Sequence, residues 1–244
     1  MNPFSSEVEL FALVCVLYLY DCSVLLFANE ALLTAKSQRR WSLELGFHGF
    51  LLAGRSLCIL NPLTPQFPAF RLSWDFLRPG SGVPDIRWSQ QADRLRRLSI
   101  TTGISAAALL VLLPLGLFSP LKLYALVPAL SLLYGSAIVG LVRLRSLRSE
   151  FNFTGARYAG FVFECLACPP FAANMVRRIA LQQRVAESLP AAGARLLSPE
   201  AWDRLRSRCK SLLDMELERL DGASLERAPL DAAKRALDSL PVSP

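Results

Sequence analysis

Asp21 is the side chain in this sequence with the clearest capacity for chemistry. It stands in Tyr18-Leu-Tyr-Asp21, inside an apolar run from Leu10 to Leu33. A carboxylate near the centre of a bilayer costs about 2.5–3.5 kcal/mol to insert, so it is expected to face a bundle interior, a water-filled cavity or a partner. Two roles fit that placement. A titrating Asp21 would serve a proton or ion relay, or contact another subunit. A neutral Asp21 would hydrogen-bond a tyrosine such as Tyr18, or a hydroxyl among Thr101, Thr102, Ser105, Ser131, Tyr134 and Ser136. The neutral form avoids most of the cost of burying a charge. The second role is the expectation, because no further acidic group lies deep in the apolar segment from Ile100 to Val142. Asparagine should then replace Asp21 adequately, and leucine should not.

Cys165-Leu-Ala-Cys168-Pro-Pro contains a CxxC. A structural zinc site takes four ligands, and only His48, Cys58 and Cys209 remain as plausible additions. A thioredoxin-type pair needs an exposed first cysteine at a helix start. This pair sits in an apolar segment, so inert packing is expected, with no metal and no cofactor. The six cysteines are scattered and suggest no disulfide framework. His48, the single histidine, is read as a polar group beside a turn. No Walker loop, GxGxxG, GxSxG or HExxH is present. Asn152-Phe-Thr154 matches a glycosylation sequon but falls on the expected inner side of the membrane.

The elements that position these residues are set by hydrophobicity. The chain has 244 residues, of which 52% are hydrophobic, and its mean hydropathy is +0.34. The excess is concentrated in a few long runs, as in membrane proteins. Leu10–Leu33 is one. Ile100–Phe118 and Leu121–Val142, joined at Ser119-Pro120, make a helical hairpin whose arms each measure about 30 Å at 1.5 Å per residue. Gly103 with Ala107, Ser131 with Gly135, and Ser136 with Gly140 supply small-residue pairs for close helix contact. The N-terminus has no positive region and no Ala-x-Ala site, so a signal peptide is not expected.

The basic residues flank these runs. Lys36, Arg39 and Arg40 follow the first; Arg94, Arg96 and Arg97 precede the hairpin; Arg143, Arg145 and Arg148 follow it. The positive-inside rule then gives three spans, N-terminus outside and C-terminus in the cytoplasm. The net charge of +7 is accounted for by this placement, and no basic stripe interleaved with aromatics points to nucleic acid.

The remaining segments are expected on the cytoplasmic side. Residues 35–98 form an insert in which Trp41–Phe47, Ser56–Leu60 and Phe70–Trp74 read as strands, separated by the proline-rich Asn61–Pro68 and the Arg78–Pro84 loop. Residues 143–187 contain Tyr158–Val176, apolar enough for a fourth span. Glu164, Asn174, Pro169-Pro170 and the following Arg177 and Arg178 argue against that. Two short helices broken at the prolines, lying in the interface or docked on the insert, are expected, with a fourth or re-entrant span as the alternative. Residues 188–244 form amphipathic helices. Ser198-Pro-Glu starts one, with Trp202, Leu205, Cys209, Leu212, Leu213 and Leu220 on its apolar face. Another runs from Pro229 to Leu240.

The expected fold is thus a mostly α integral membrane protein. Three transmembrane helices (N-out, C-in), divided as residues 1–34 and the hairpin 99–142, carry a small β-rich cytoplasmic insert and a cytoplasmic helical tail. Arginine far outnumbers lysine, a hint of a GC-rich bacterial genome, and the expected location is a bacterial inner membrane. The expected function is non-enzymatic: an accessory, assembly or anchoring protein whose partners are the lipid bilayer and another membrane protein or a second copy. The rival is a membrane enzyme or transport component using Asp21 and headgroup-binding arginines. A second ionisable group facing Asp21 would discriminate between them.

Overall fold

The structure, a computed structural model, describes residues 3–27, 29–35, 41–45, 51–52, 55–73, 86–120, 122–183, 185, 188–219 and 227–239. Among the described residues, helix α1 (Pro3–Asp21) is followed by six short strands: β1 (Ser23–Leu26), β2 (Glu30–Ala35), β3 (Trp41–Leu45), β4 (Leu51–Leu52), β5 (Arg55–Ile59) and β6 (Ala69–Ser73). A long helix then runs as α2 (Ile86–Ala107), a π-helical turn (Ala108–Leu112) and α3 (Leu113–Phe118). It is followed by α4 (Lys122–Ser146), α5 (Gly155–Ala167), α6 (Pro169–Ala173), α7 (Met175–Leu181), α8 (Leu189–Leu196), α9 (Pro199–Arg219) and α10 (Arg227–Ser239). The chain is mostly helical, with a small sheet region.

Two helical stretches, Ser89–Phe118 and Leu123–Ser146, are long and apolar enough to cross a membrane. They form the expected hairpin. Ser105 and Ser136 share a hydrogen bond of 2.7 Å across it. A Cβ on Gly140 would come within 3.2 Å of Thr101 Oγ1 and 3.3 Å of Met175 Sδ. Of the small-residue pairs, Ser136 and Gly140 therefore line a contact, whereas Gly103 and Gly135 face open space. The first arm starts well before Ile100: residues from Ile86 onward extend it, burying Ala92, Leu95 and Leu98. The π turn has a local cause. Pro114 has no N–H and its ring would crowd the carbonyl four residues back; the wider turn relieves this, and Leu113 N–H donates instead to Ala108 O. At the turn end of the hairpin, a Cβ on Gly116 would stand 3.0 Å from Leu126 Cα and from Leu126 N. Backbone atoms of a packed helix cannot yield cheaply, so Gly116→Ala should destabilise the protein by about 1–3 kcal/mol. A melting curve in detergent that matches the parent would refute this.

The first expected span is corrected. The run Leu10–Leu33 is not one helix: α1 ends at Asp21, and the rest of the run is extended in β1 and β2. Hydropathy does not separate a buried strand from a buried helix. Tertiary partners decide here. Leu60 N–H donates to Cys22 O at 2.9 Å, and β2 is the central strand of the sheet β3-β2-β6. It pairs antiparallel on both sides, with Leu33 opposite Leu43 and Phe70, and Ala31, Leu32 and Leu33 are fully buried. The second sheet has the order β1-β5-β4. The three expected strands appear as β3, β5 and β6.

The chain divides into two compact units: residues 1–24, 58–68 and 89–183, and residues 25–57, 69–88 and 184–244. The first holds α1, the hairpin and α5–α7. The expected break at the prolines is present, with α5 ending at Ala167 and α6 starting at Pro169, but a second break at Asn174 separates α6 from α7, so three short helices stand where two were expected. In the turn after α4, Asn152 takes the left-handed conformation (φ 54°), which asparagine tolerates better than most residues.

In the second unit, Trp202, Leu205, Cys209 and Leu213 of α9 are buried, as are Leu230, Ala233 and Leu237 of α10. Leu220 and Leu240 lie outside the described residues. Arg206 pairs with Asp238 at 3.1 Å, and Lys234 with Asp214 at 2.5 Å. Gly193 admits the close approach of α8 to α9, since a Cβ there would lie 2.3 Å from Leu205 Cδ2.

Candidate functional site

Asp21 ends α1 with its side chain only 10% exposed. Its neighbour is a cation. Arg178 Nε lies 3.6 Å from Asp21 Oδ1, and Arg178 Nη2 donates to Glu164 Oε2 at 2.5 Å. The same guanidinium lies 4.2 Å from the centroid of Phe171 and 5.5 Å from that of Phe161, where the ring faces favour a cation. One permanently charged group thus ties together α1, α5 and α7. The discriminating second ionisable group is present, and it is basic.

This corrects the expected partners of Asp21. The hairpin hydroxyls are engaged elsewhere. Thr101 and Thr102 both donate to Leu98 O, at 2.8 and 3.0 Å, and Ser136 contacts Ser105 and Leu132 O. Ser131 and Tyr134 are exposed. Tyr18 is buried, but its hydroxyl donates to Pro62 O at 2.5 Å.

Beside this cluster is a second buried polar group. Arg177, 3% exposed, donates from Nη2 to Asn61 O and Thr64 O, both at 2.7 Å. Asn174 is fully buried and donates from Nδ2 to Cys22 Sγ at 3.3 Å. The stretch 60–68 has no regular structure because its three prolines remove donors. Two of its carbonyls accept turn N–H groups from within, Asn61 O from Thr64 at 3.2 Å and Thr64 O from Phe67 at 3.3 Å; Tyr18, Arg177 and Ser99, which donates to Gln66 O at 2.8 Å, add donors from outside. Sequence reasoning treated Glu164, Asn174, Arg177 and Arg178 as interruptions of a span. Two consecutive arginines after Pro-Pro in an apolar stretch were the available signal, since long buried cations occur only with partners.

Chemically, the arrangement positions elements. A guanidinium does not deprotonate in proteins and cannot pass a proton along. Placed between Asp21 and Glu164, it acts as a clamp.

Cys165 is buried and Cys168 half-buried, and both are free thiols. No group of three or more metal-ligating side chains occurs among the described residues. His48 lies outside them. Cys209, in α9, is also free and buried, and burial pushes its thiol up to about 12.

Of the expected interface arginines, Arg39 and Arg40 lie outside the described residues. Arg94, Arg96, Arg97, Arg143, Arg145 and Arg148 gather where the two hairpin arms meet again. Arg143 Nη1 donates to Arg97 O at 3.1 Å, and Arg94 pairs with Glu150 at 2.6 Å. Arg96 pairs with Asp93 at 3.6 Å within one turn of helix. Such exposed pairs contribute little stability.

No protein-family model matches the chain, and no curated protein or solved structure is similar to it.

Proposed function

We propose that the chain is an integral protein of a bacterial inner membrane, crossing it three times with its N-terminus outside and its C-terminus in the cytoplasm, and that it serves as an accessory, assembly or anchoring subunit. The observation that carries the reading is the distribution of exposed apolar side chains. Val8, Leu13 and Val16 on α1, Val111 and Leu115 on the first hairpin arm, and Val127, Ile138 and Val142 on α4 are each more than half exposed. Only 39% and 33% of the two spanning windows is buried. A core helix of a soluble protein would be mostly buried, so lipid is the natural surround. Phe11 of α1 meets Phe118 at the turn end of the hairpin, ring centroids 5.6 Å apart, so α1 enters the bundle from the side opposite the arginines. The arginines at one end of the hairpin favour placing that end in the cytoplasm.

The non-enzymatic part of the reading is supported by the roles of Arg177 and Arg178. Arg177 holds loop carbonyls, and Arg178 holds the two carboxylates, so both have architectural work. A chain built in this way suits a scaffold that a membrane partner recognises.

Reporter fusions and purification test the reading. A reporter at Pro244 or after Ser146 should be cytoplasmic, and one between Phe118 and Leu121 should be external. A cytoplasmic signal at that turn would sink the topology. Purification in mild detergent should yield a complex of fixed stoichiometry with one membrane protein or a second copy. Recovery of a lone monomer would sink the accessory role.

A further inference from the structure

We propose that residues 155–183 form a re-entrant segment that enters the bilayer from the arginine-flanked side, turns at mid-depth and returns, and that the outer face of α5 is covered by lipid acyl chains. The proposal rests on the membrane reading above and deepens it.

The path of the segment follows from four contacts. Tyr158 Oη donates to Leu141 O at 2.8 Å, so α5 starts level with the end of α4 that carries Arg143. The far end returns to that level. Arg157 Nη2 donates to Gln182 Oε1 at 2.9 Å, and Gln91 Nε2 to Gln183 Oε1 at 3.5 Å. Between these ends the chain runs deep. Ala173 packs in a cluster with Tyr18, Leu109, Leu113 and Leu133. Leu109 lies twelve residues beyond Arg97 and Leu133 ten residues before Arg143, which is about 15–18 Å along a helix. That depth is half of a hydrocarbon core of roughly 30 Å.

Backbone chemistry agrees. Broken helices at membrane depth are tolerated only where protein surrounds them. Pro170, Ala172, Ala173 and Asn174 are all buried. The break is bridged by Cys168 N–H to Glu164 O at 2.9 Å and Phe171 N–H to Cys168 O at 2.9 Å. At 13 residues, α5 is about 20 Å long, too short to cross and long enough to reach the middle.

The surface of α5 shows what covers it. Phe161 and Cys165 face the bundle. On the other side Ala156, Ala159, Gly160, Phe163, Leu166 and Ala167 are exposed, Phe163 at 73%. Apart from the exposed Arg157 and Glu164, this side is apolar as well. Its carboxylate, Glu164, is paired with Arg178. The helix packs against α4, on which Ile138 and Val142 are also more than half exposed. Acyl chains are the occupant that suits exposed apolar side chains on two helices in contact within a bilayer.

The experiment uses full-length protein in phosphatidylcholine–phosphatidylglycerol vesicles, in a background with Cys15, Cys58 and Cys168 replaced by serine. Spin labels are placed at Phe163→Cys and, as a control, Ile138→Cys, and their collision rates with oxygen and with a water-soluble nickel chelate are compared. Both labels should meet oxygen and exclude the chelate, with Phe163→Cys no shallower than a quarter of the bilayer thickness. If Ile138→Cys behaves as a lipid-facing site while Phe163→Cys meets the chelate, or is shielded from both reagents, the re-entrant proposal fails and the membrane reading stands. If Ile138→Cys meets the chelate, the membrane reading itself fails. Reporters in the unlabelled chain supply an independent check: fusions at Ser149 and Ala191 should report the same side, and opposite sides would replace the re-entrant segment with a fourth span.

Discussion

Replacing Arg177 by alanine should remove about 3 kcal/mol or more of stability, enough to lower the melting temperature in detergent by roughly 6–12 °C for a chain of this size. The reason lies in what the guanidinium leaves behind. Asn61 O and Thr64 O each accept from Nη2 at 2.7 Å, and charged hydrogen bonds of this kind are each worth about 1.5–3 kcal/mol. Without the donor, both carbonyls lose their strongest partner and keep the longer, uncharged bonds from Thr64 N–H at 3.2 Å and Phe67 N–H at 3.3 Å. Arg177→Lys should fall between, since an ammonium keeps the charge but lacks the planar fork that reaches two acceptors. Equal melting temperatures for the parent and Arg177→Ala would show that the loop finds donors elsewhere.

The second large effect concerns Asp21 and Arg178. Arg178→Leu should destabilise by about 3–5 kcal/mol, because it leaves Asp21 buried without its cation. Asp21→Leu should cost less, since Glu164 still holds the guanidinium at 2.5 Å. Asp21→Asn is no longer the adequate substitute expected for a neutral carboxyl: it keeps the shape and loses the attraction. Removing both partners together should cost at least about 1 kcal/mol less than the sum of the single changes, the signature of direct coupling. Thermal unfolding of the three variants and the double variant measures this. A relay gives another pattern, with Asp21→Asn inactive in any functional assay while its melting curve stays at the parent's value. That outcome would move the protein to the transport or enzyme class.

Much of the fold was legible where local signals agreed. The hairpin could be read because two apolar runs, a serine-proline turn and arginine flanks all have the same consequence. The strands near Trp41, Ser56 and Phe70 could be read from alternation, and the start of α9 from Ser198-Pro-Glu. The end of α1 could not be read. Leu10–Leu33 is apolar on both sides of Asp21 up to Asn29 and Glu30, and its second half is extended because Leu60, Leu43 and Phe70 meet it from distant parts of the chain. The same holds for the site. Asp21 stood out as an acid among apolar residues, but its partner lies 157 positions further on. Local spacing carries no information about such a pairing. Glu164, Asn174, Arg177 and Arg178 were visible as anomalies, and their mutual satisfaction was not.

The grip of Arg177 on the 60–68 stretch also fixes an order of events in the life of the chain. Thr64 and Arg177 are separated by 113 residues. At ribosomal speeds of about 5–20 residues per second, roughly 6 to 23 seconds pass between the synthesis of the carbonyls and of the donor that holds them. On the membrane reading proposed above, the hairpin enters the bilayer during that interval on hydrophobicity alone, while the proline-rich stretch stays wet, hydrogen-bonded to water. The first unit therefore closes late and in reverse, from its C-terminal helices back onto residues translated earlier. A ribosome stalled before Met175 would leave an inserted hairpin with an open bundle, a natural substrate for membrane quality control.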